Sequence, residues 1–254
     1  MTSFHALHHT GTPLLLPNAW DHASAAALAA RGFPAIGTTS LGVAAAAGLP
    51  DGAGVAEEET LRLAQLLGHR GFLLSVDAEG GFSDDPAKVA ELAVRLAAAG
   101  AVGINLEDGR GDGTLSPVPV HAAKIAAVKA AVPDLFVNAR TDTHWLRTQQ
   151  DETTARLDAY IRAGADGVFV PGLSDPAGIS ALVRFLDVPL NILYSPSGPG
   201  VAELGALGVR RVSLGSLLYR AALGAAVGAA EDIRAGRPVT GGVAKYAEVQ
   251  GFAQ

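Results

Sequence analysis

Short apolar, β-branched runs alternate with longer Ala-rich runs along the whole chain. The short runs predict strands at Leu14–Asn18, Ala35–Thr39, Leu73–Asp77, Val102–Leu106, Phe136–Arg140, Gly167–Val170, Leu190–Leu193 and Arg211–Leu214. They carry no polar alternation, as befits strands covered on both faces. A helical run follows each: Ala23–Arg31, Ala56–Leu67, Pro86–Ala99, Val120–Ala131, Thr153–Ala163, Pro176–Phe185, Val201–Leu207 and Leu217–Ala235. Asp85-Pro86 and Asp175-Pro176 read as N-caps with proline in the first turn. Gly32, Gly100, Gly164 and Gly208 read as helix stops. Eight such units in 254 residues predict a single domain, 1–254, folded as a (β/α)8 TIM barrel. A doubly wound open sheet is the rival architecture.

In such a barrel the chemistry sits where the strands end. Those ends carry Asn18, Trp20 and Asp21; Thr38, Thr39 and Ser40; Asp77 and Glu79; Glu107 and Asp108; Asn138, Arg140 and Asp142; Asn191 and Tyr194; and Ser213 and Ser216. Residues two apart on a strand share a face, so Asp77 with Glu79, and Asn138 with Arg140, are expected to face the barrel axis. Carboxylates crowded at one mouth repel one another unless neutralised. Mg²⁺ suits the task, because it takes a few carboxylates and keeps several waters. The alternative is a salt-bridge network in which Asp77 and Glu79 pair with Arg140. Asp108 either joins the site or caps the next turn. Thr38–Ser40 offer hydroxyls and backbone amides for an oxyanion, or simply cap the strand. Trp20 is either a wall of the site or a lid on the core, and Asn191 is a site residue or a satisfied core amide.

Composition removes several other functions. Cysteine is absent, which excludes disulfides, thiolate metal sites and cysteine nucleophiles. The net charge of −6, without a Lys/Arg block, argues against nucleic acid. No apolar run reaches the ~18 residues of a spanning helix and no signal peptide is evident, so a cytoplasmic protein without membrane contact is expected. Lys88, Lys124, Lys129 and Lys245 all lie away from strand ends, which argues against imine chemistry. Nucleotide, dinucleotide and zinc-peptidase motifs are missing. His5, His8 and His9 are expected on a mobile N-terminal segment. Tyr194–Gly200, YSPSGPG, lies where many barrels bind phosphate but holds no basic residue.

The segments LLLPNAWDHASA, IGTTSLGVAAAAGLPDG, SVDAEGGF, GINLEDG, VNARTD, PLNILYS and RVSLGSLLYRAAL follow one another on successive strands. In that order they resemble the isocitrate lyase/phosphoenolpyruvate mutase superfamily over nearly the whole chain. The resemblance implies a Mg²⁺-dependent barrel that acts on 2-oxo or 2-hydroxy acids through pyruvate-like enolates. It implies that Asp77, Glu79 and Glu107 hold the metal, partly through water, and that Asp51 approaches the metal shell. It also implies that Thr38, Thr39 and Ser40 hold the substrate carboxylate, that Arg140 binds substrate, and that Asn191 is a polar strand-seven position. Relatives assemble as dimers or tetramers, so a homo-oligomer is expected.

The departures narrow the reaction. The lyases carry a cysteine in a lid after strand four, but Gly109–His121 has neither cysteine nor lysine. Glu79 stands where an Asp is usual, and Val170-Pro171-Gly172 replaces a glutamate. The expected activity is therefore decarboxylation or C–C cleavage of a small 2-oxo dicarboxylate, with oxaloacetate the simplest substrate. Arg140 would hold the distal carboxylate, and Tyr194 or a metal-bound water would donate the proton. The alternatives are a 2-oxo acid binding protein with little turnover, or a C–C/C–P hydrolase or phosphonomutase.

Overall fold

Pro17 has no N–H to give to a ladder, and the first strand divides there. Its two pieces, β1 (Leu14–Leu16) and β2 (Asn18–Ala19), form the two ends of one parallel sheet. In the computed structural model, which describes residues 3–252, β2 is followed across the sheet by β3 (Ala35–Thr38), β4 (Leu73–Asp77) and β5 (Ala101–Glu107). Next come β6 (Phe136–Arg140), β7 (Gly167–Phe169), β8 (Leu190–Leu193) and β9 (Arg211–Ser213). Leu14–Leu16 pair with Arg211–Ser213, while Asn18 and Ala19 pair with Gly37 and Thr38. The divided strand thus closes the barrel, and the architecture is the expected (β/α)8 type.

Helices cover the outside: α2 (His22–Ala30), α3 (Ser40–Ala46), α4 (Glu57–Leu67), α5 (Pro86–Ala98), α6 (Val118–Ala131), α7 (Thr153–Arg162), α8 (Pro176–Phe185) and α9 (Val201–Ala206). The caps fall where the sequence puts them. Asp85 accepts from the Ala87 amide at 2.9 Å and Asp175 from the Gly178 amide at 2.7 Å. Gly100 and Gly164 leave their helices at φ of 97° and 104°, a region that a side chain disfavours. In α5, Val89, Leu92, Ala93 and Leu96 recur at helical spacing and are buried. Each large member contributes about 1.5–3 kcal/mol by leaving water.

Three elements depart from the expectation. Thr38–Ser40 do not merely end a strand, because Ser40 begins α3 with Thr39 as its N-cap. At the far end, α10 (Leu217–Arg234) buries none of its residues and leaves Leu223, Val227 and Ile233 exposed; α11 (Tyr246–Gly251) follows. The N-terminus is also not a loose segment. Helix α1 (Ser3–Leu7) brings Phe4 and His8 against Phe136, with rings 5.4 Å apart at an edge and 4.3 Å apart in a stack. Both are buried, so they close the floor of the barrel. Gly103 makes this possible, since a Cβ there would stand 2.8 Å from the Phe4 ring. Among the described residues no helix is long and apolar enough to cross a membrane.

Burial holds His8 and His121 neutral, each lowered from 6.5 to about 3. The unfolded chain therefore binds more protons than the folded one between those values. Stability is fully present above pH 6.5 and is lost as pH falls toward 3, by about 1.4 kcal/mol per pH unit and histidine. His121→Leu should reduce the pH dependence of the urea-unfolding free energy below pH 6.5 by about that amount. A slope equal to wild type would show that His121 is protonated in the folded protein.

Candidate active site

A cavity of about 280 Å³ opens at the C-terminal ends of the strands. Its walls include Asn18, Thr39, Ser40, Asp51, Asp77, Asn105, Glu107, Arg140, Asp142 and Ser213. Parallel pairing sets these residues side by side. Asp77 lies opposite Asn105, and Glu107 opposite Arg140. Asp51 comes from the loop after α3. Apolar walls come from Leu41, Trp145, Leu146, Phe169 and Leu193. The Arg140 guanidinium lies 5.7 Å from the Phe169 ring centre.

Arg140 ties two of the acids together. Its Nε and Nη2 donate to Asp142 at 2.6 and 3.0 Å, and Nη1 lies 2.6 Å from Glu107 Oε2. All three nitrogens thus face carboxylates of the protein itself. Burial nonetheless pushes Glu107 well above the usual carboxylate range, with Asp142, Asp77 and Glu79 adding to the rise. Burial raises Asp51 as well, opposed by a hydrogen bond from Ser40. One arginine does not neutralise this many acids.

The strand alternation expected for Asp77 and Glu79 fails. β4 ends at Asp77, and Glu79 lies beyond it at φ 47°, a left-handed conformation uncommon outside glycine. That turn sends Glu79 to a second cavity of about 280 Å³, which it shares with Glu107, Arg110, Ser116 and Lys124. The Gly54 amide donates to Glu79 Oε2 at 3.2 Å. Burial, then the nearby Asp77 and Asp51, push the Glu79 carboxyl up to about 7. Asn138 keeps to its expected inward face and donates to Asn105 at 2.9 Å.

Other candidates stand outside the main cavity. Thr38 sits behind it, where its hydroxyl accepts from the Asp77 amide at 2.9 Å. Asn191 donates to Ser213 at 2.9 Å inside the barrel. Trp20 packs edge-on against Tyr219 at 5.3 Å, and Tyr194 packs against the apolar core. Asp21 caps α2. Asp108, fully buried, accepts from Thr141 Oγ1, the Asp142 amide, Tyr160 and Arg156. It therefore positions Asp142 instead of lining the cavity.

Sequence reading passes over Asn105, Arg110 and Arg211. Arg211 lies inside the barrel with its side chain on Asn105 and Ser213. Asn105 and Arg211 occupy alternating inward positions on their strands, a signal hidden because both runs read as plain apolar strands. Arg110 lies in a loop, where no periodicity applies.

Among the described residues no three His, Asp or Glu side chains form a ready-made metal cage. The donor set fits a hydrated Mg²⁺ better, since that ion is held by one or two carboxylates and retains water. Asp77 Oδ1 and Glu79 Oε1 are buried carboxylate oxygens without a hydrogen-bond partner. Such atoms are costly to leave unpaired, and a cation with its waters would satisfy them.

A family model described as phosphoenolpyruvate phosphomutase matches residues 4–234. An uncharacterized Mycobacterium tuberculosis protein is 46% identical over 98% of this chain and 95% of its own. An oxaloacetate decarboxylase of Ectopseudomonas mendocina is 32% identical over 75% of this chain and 69% of its own. Among solved structures, a provisional lyase/mutase from Burkholderia cenocepacia aligns with TM-score 0.89 and 36% identity, over 99% of this chain and 94% of its own. A phosphonopyruvate hydrolase in complex with oxalate and Mg²⁺ aligns with TM-score 0.85 and 25% identity, over 99% and 93%.

The Asp108 cluster gives a direct test of how the site is held. Asp108→Asn removes a buried charge from Arg156 and replaces one of two acceptor oxygens, Oδ2 serving three donors and Oδ1 one. Loss of a buried ion-pair partner costs about 3 kcal/mol or more, so the Tm should fall by ~10 °C. A variant melting within 2 °C of wild type would show that Asp108 does not anchor the β5 and β6 loops.

Proposed function

Because the chain belongs to the phosphoenolpyruvate phosphomutase family, we propose that it is a Mg²⁺-dependent enzyme acting on a small 2-oxo dicarboxylate. The reaction is decarboxylation or C–C cleavage next to the carbonyl, leaving a pyruvate-type enolate, and oxaloacetate is the simplest substrate. Family members include phosphomutases, a decarboxylase and a hydrolase, so the family is one of enzymes. The observation that carries the reading is the surplus of buried carboxylates, with Asp77 Oδ1 unpartnered at the wall of a substrate-sized cavity and Glu79 Oε1 unpartnered in the lateral cavity that shares Glu107.

In this reading Asp77, Glu79 and Glu107 would hold the Mg²⁺ and its waters. When bound, the ion polarises the 2-oxo group as a Lewis acid. The remaining steps belong to the chain. The Ser40 amide donates to Asp77 Oδ2 at 3.3 Å and holds that carboxylate in place, and the cavity-lining Thr39 and Ser40 orient the proximal carboxylate of the substrate. Arg140 fixes Glu107 and Asp142 in place at the cavity wall and opposes the rise that burial imposes on both. Leu146, Phe169 and Leu193 exclude water, which strengthens every charge interaction inside. The proton for the enolate carbon comes from Asp51, because its carboxyl is raised and lines the cavity while Tyr194 does not. The exposed apolar residues of α10 suit burial against a second copy of the chain, and the enzyme is proposed to act as a homo-oligomer.

Oxaloacetate supplied with Mg²⁺, and again with EDTA, should give pyruvate and CO₂ only with the metal. Asp77→Ala should abolish that turnover with an unchanged circular-dichroism spectrum; undiminished turnover would remove Asp77 from the metal site. Asp51→Asn should lower kcat by ~10²-fold, the usual weight of a positioned proton donor, while KM changes little. Equal losses in kcat and in substrate affinity would make Asp51 a binding residue instead.

A further inference from the structure

The basic residues lining the main cavity are Arg140 and Arg110, against Asp51, Asp77, Glu107 and Asp142. Arg140 is already held by two of those acids. With Arg140 held between Glu107 and Asp142, Arg110 is the basic side chain of the main-cavity wall left for a substrate carboxylate. A dicarboxylate needs further positive charge to enter. We infer that Arg110 is the specificity-determining residue for the second carboxylate, its side chain rotating from Asp84 into the main cavity when substrate binds. This inference rests on the 2-oxo dicarboxylate reading.

The local geometry permits that rotation without moving the loop. Arg110 lines both the main cavity and the lateral one, so it stands at the wall between them. Its Nη2 lies 2.7 Å from Asp84 Oδ2, in a pair whose side chains are 37% and 61% exposed. Exposed pairs of this kind contribute little. Asp84 also holds Lys124 Nζ at 3.0 Å, and that amine is almost buried and donates to the Gly80 carbonyl. Asp84 thus keeps a cationic partner after Arg110 leaves.

The backbone around Arg110 is pinned. Its amide donates to the Thr114 carbonyl, and its own carbonyl accepts from Gly113, both at 2.9 Å. Gly109 bridges to Leu115. Gly111 lies so close to the loop after α3 that a Cβ would stand 2.7 Å from the Gly52 carbonyl oxygen. A rotamer change of one exposed arginine is fast, on the picosecond-to-nanosecond scale. A planar guanidinium matches a carboxylate with two parallel N–H donors.

The test compares wild type, Arg110→Gln, Arg110→Lys and Asp84→Asn, each with Mg²⁺. Kinetics with oxaloacetate are paired with calorimetric binding of pyruvate and of 2-oxoglutarate. Arg110→Gln should raise the KM for oxaloacetate and the Kd for 2-oxoglutarate ~10- to 100-fold, the usual weight of a charged hydrogen bond. Its Kd for pyruvate should stay within about twofold of wild type. Arg110→Lys should recover part of the loss, and Asp84→Asn should lower the oxaloacetate KM. An Arg110→Gln enzyme that keeps its KM, or that weakens pyruvate equally, overturns the inference and leaves the proposed function standing. So does an Asp84→Asn enzyme whose KM rises as much as that of Arg110→Gln. A wild-type protein that neither binds nor converts any 2-oxo acid overturns both.

Discussion

The repulsion between carboxylates at one mouth of a closed barrel organises the rest of this molecule. Asp51, Asp77, Glu107 and Asp142 share one cavity, and Glu79 stands behind it. Charges in such a setting are poorly screened, and each neighbour raises the free energy of ionising the next. The fold answers with arginines placed in layers. Arg140 spans Glu107 and Asp142. Arg156, one layer further out, serves Asp108 and binds the Ser116 carbonyl at the end of the β5 loop. Asp108 in turn receives the Asp142 amide. The outer pair thereby sets the angle at which Asp142 grips Arg140, and helix α7 is coupled to the cavity wall without touching it.

The barrel itself was legible because its signals are local and repeated. Strand runs without polar alternation, Asp-Pro caps and helix-ending glycines each state one piece of the same topology, and agreement across such levels is what specifies a fold. The acids were legible for a related reason, since a carboxylate closing an apolar run has few places to go but the mouth of the barrel. Where the chain leaves regular backbone, period-two reasoning stops. Glu79 is the clear case. Its positive φ turns it away from Asp77, and the sequence carries only the following Gly80-Gly81 as a hint. Tyr194 and Trp20 also sit one step past their strands, and their rings went to the core and to Tyr219 instead of the cavity. His8 departs from the expectation for a terminal segment because its ring meets Phe4 edge-on and stacks on Phe136.

Arg211 shows what a strand pattern hides. It is almost fully buried in β9, bonded to Asn105 and Ser213, and one of its terminal nitrogens has no partner. Burial lowers it to about 9, which still leaves it cationic at neutral pH, and Asp77 above it acts in the opposite direction. An isolated buried charge is strongly unfavourable. The positive charge is tolerable here because the surplus of acids lies directly overhead. Asn105 joins the two layers: its oxygen accepts from both Arg211 and Asn138, and its side chain also lines the cavity.

The same electrostatic logic explains the economy of the loop over the site. That loop holds neither cysteine nor lysine, and its turn is built from Gly109, Gly111 and Gly113 around one arginine and one aspartate. Asp112 is turned back onto Thr114, where its carboxylate accepts from the amide and the hydroxyl at 3.0 and 2.7 Å. It therefore adds no charge to a cavity already rich in acids. A bulkier loop could not settle as low. At Gly109 a side chain would run into the Asp142 carboxylate, and at Gly111 it would push the loop off Gly52. Glycine at these positions lets the backbone approach the acids closely. The turn sits low because no side chain at Gly109 or Gly111 stands between its backbone and the wall of acids.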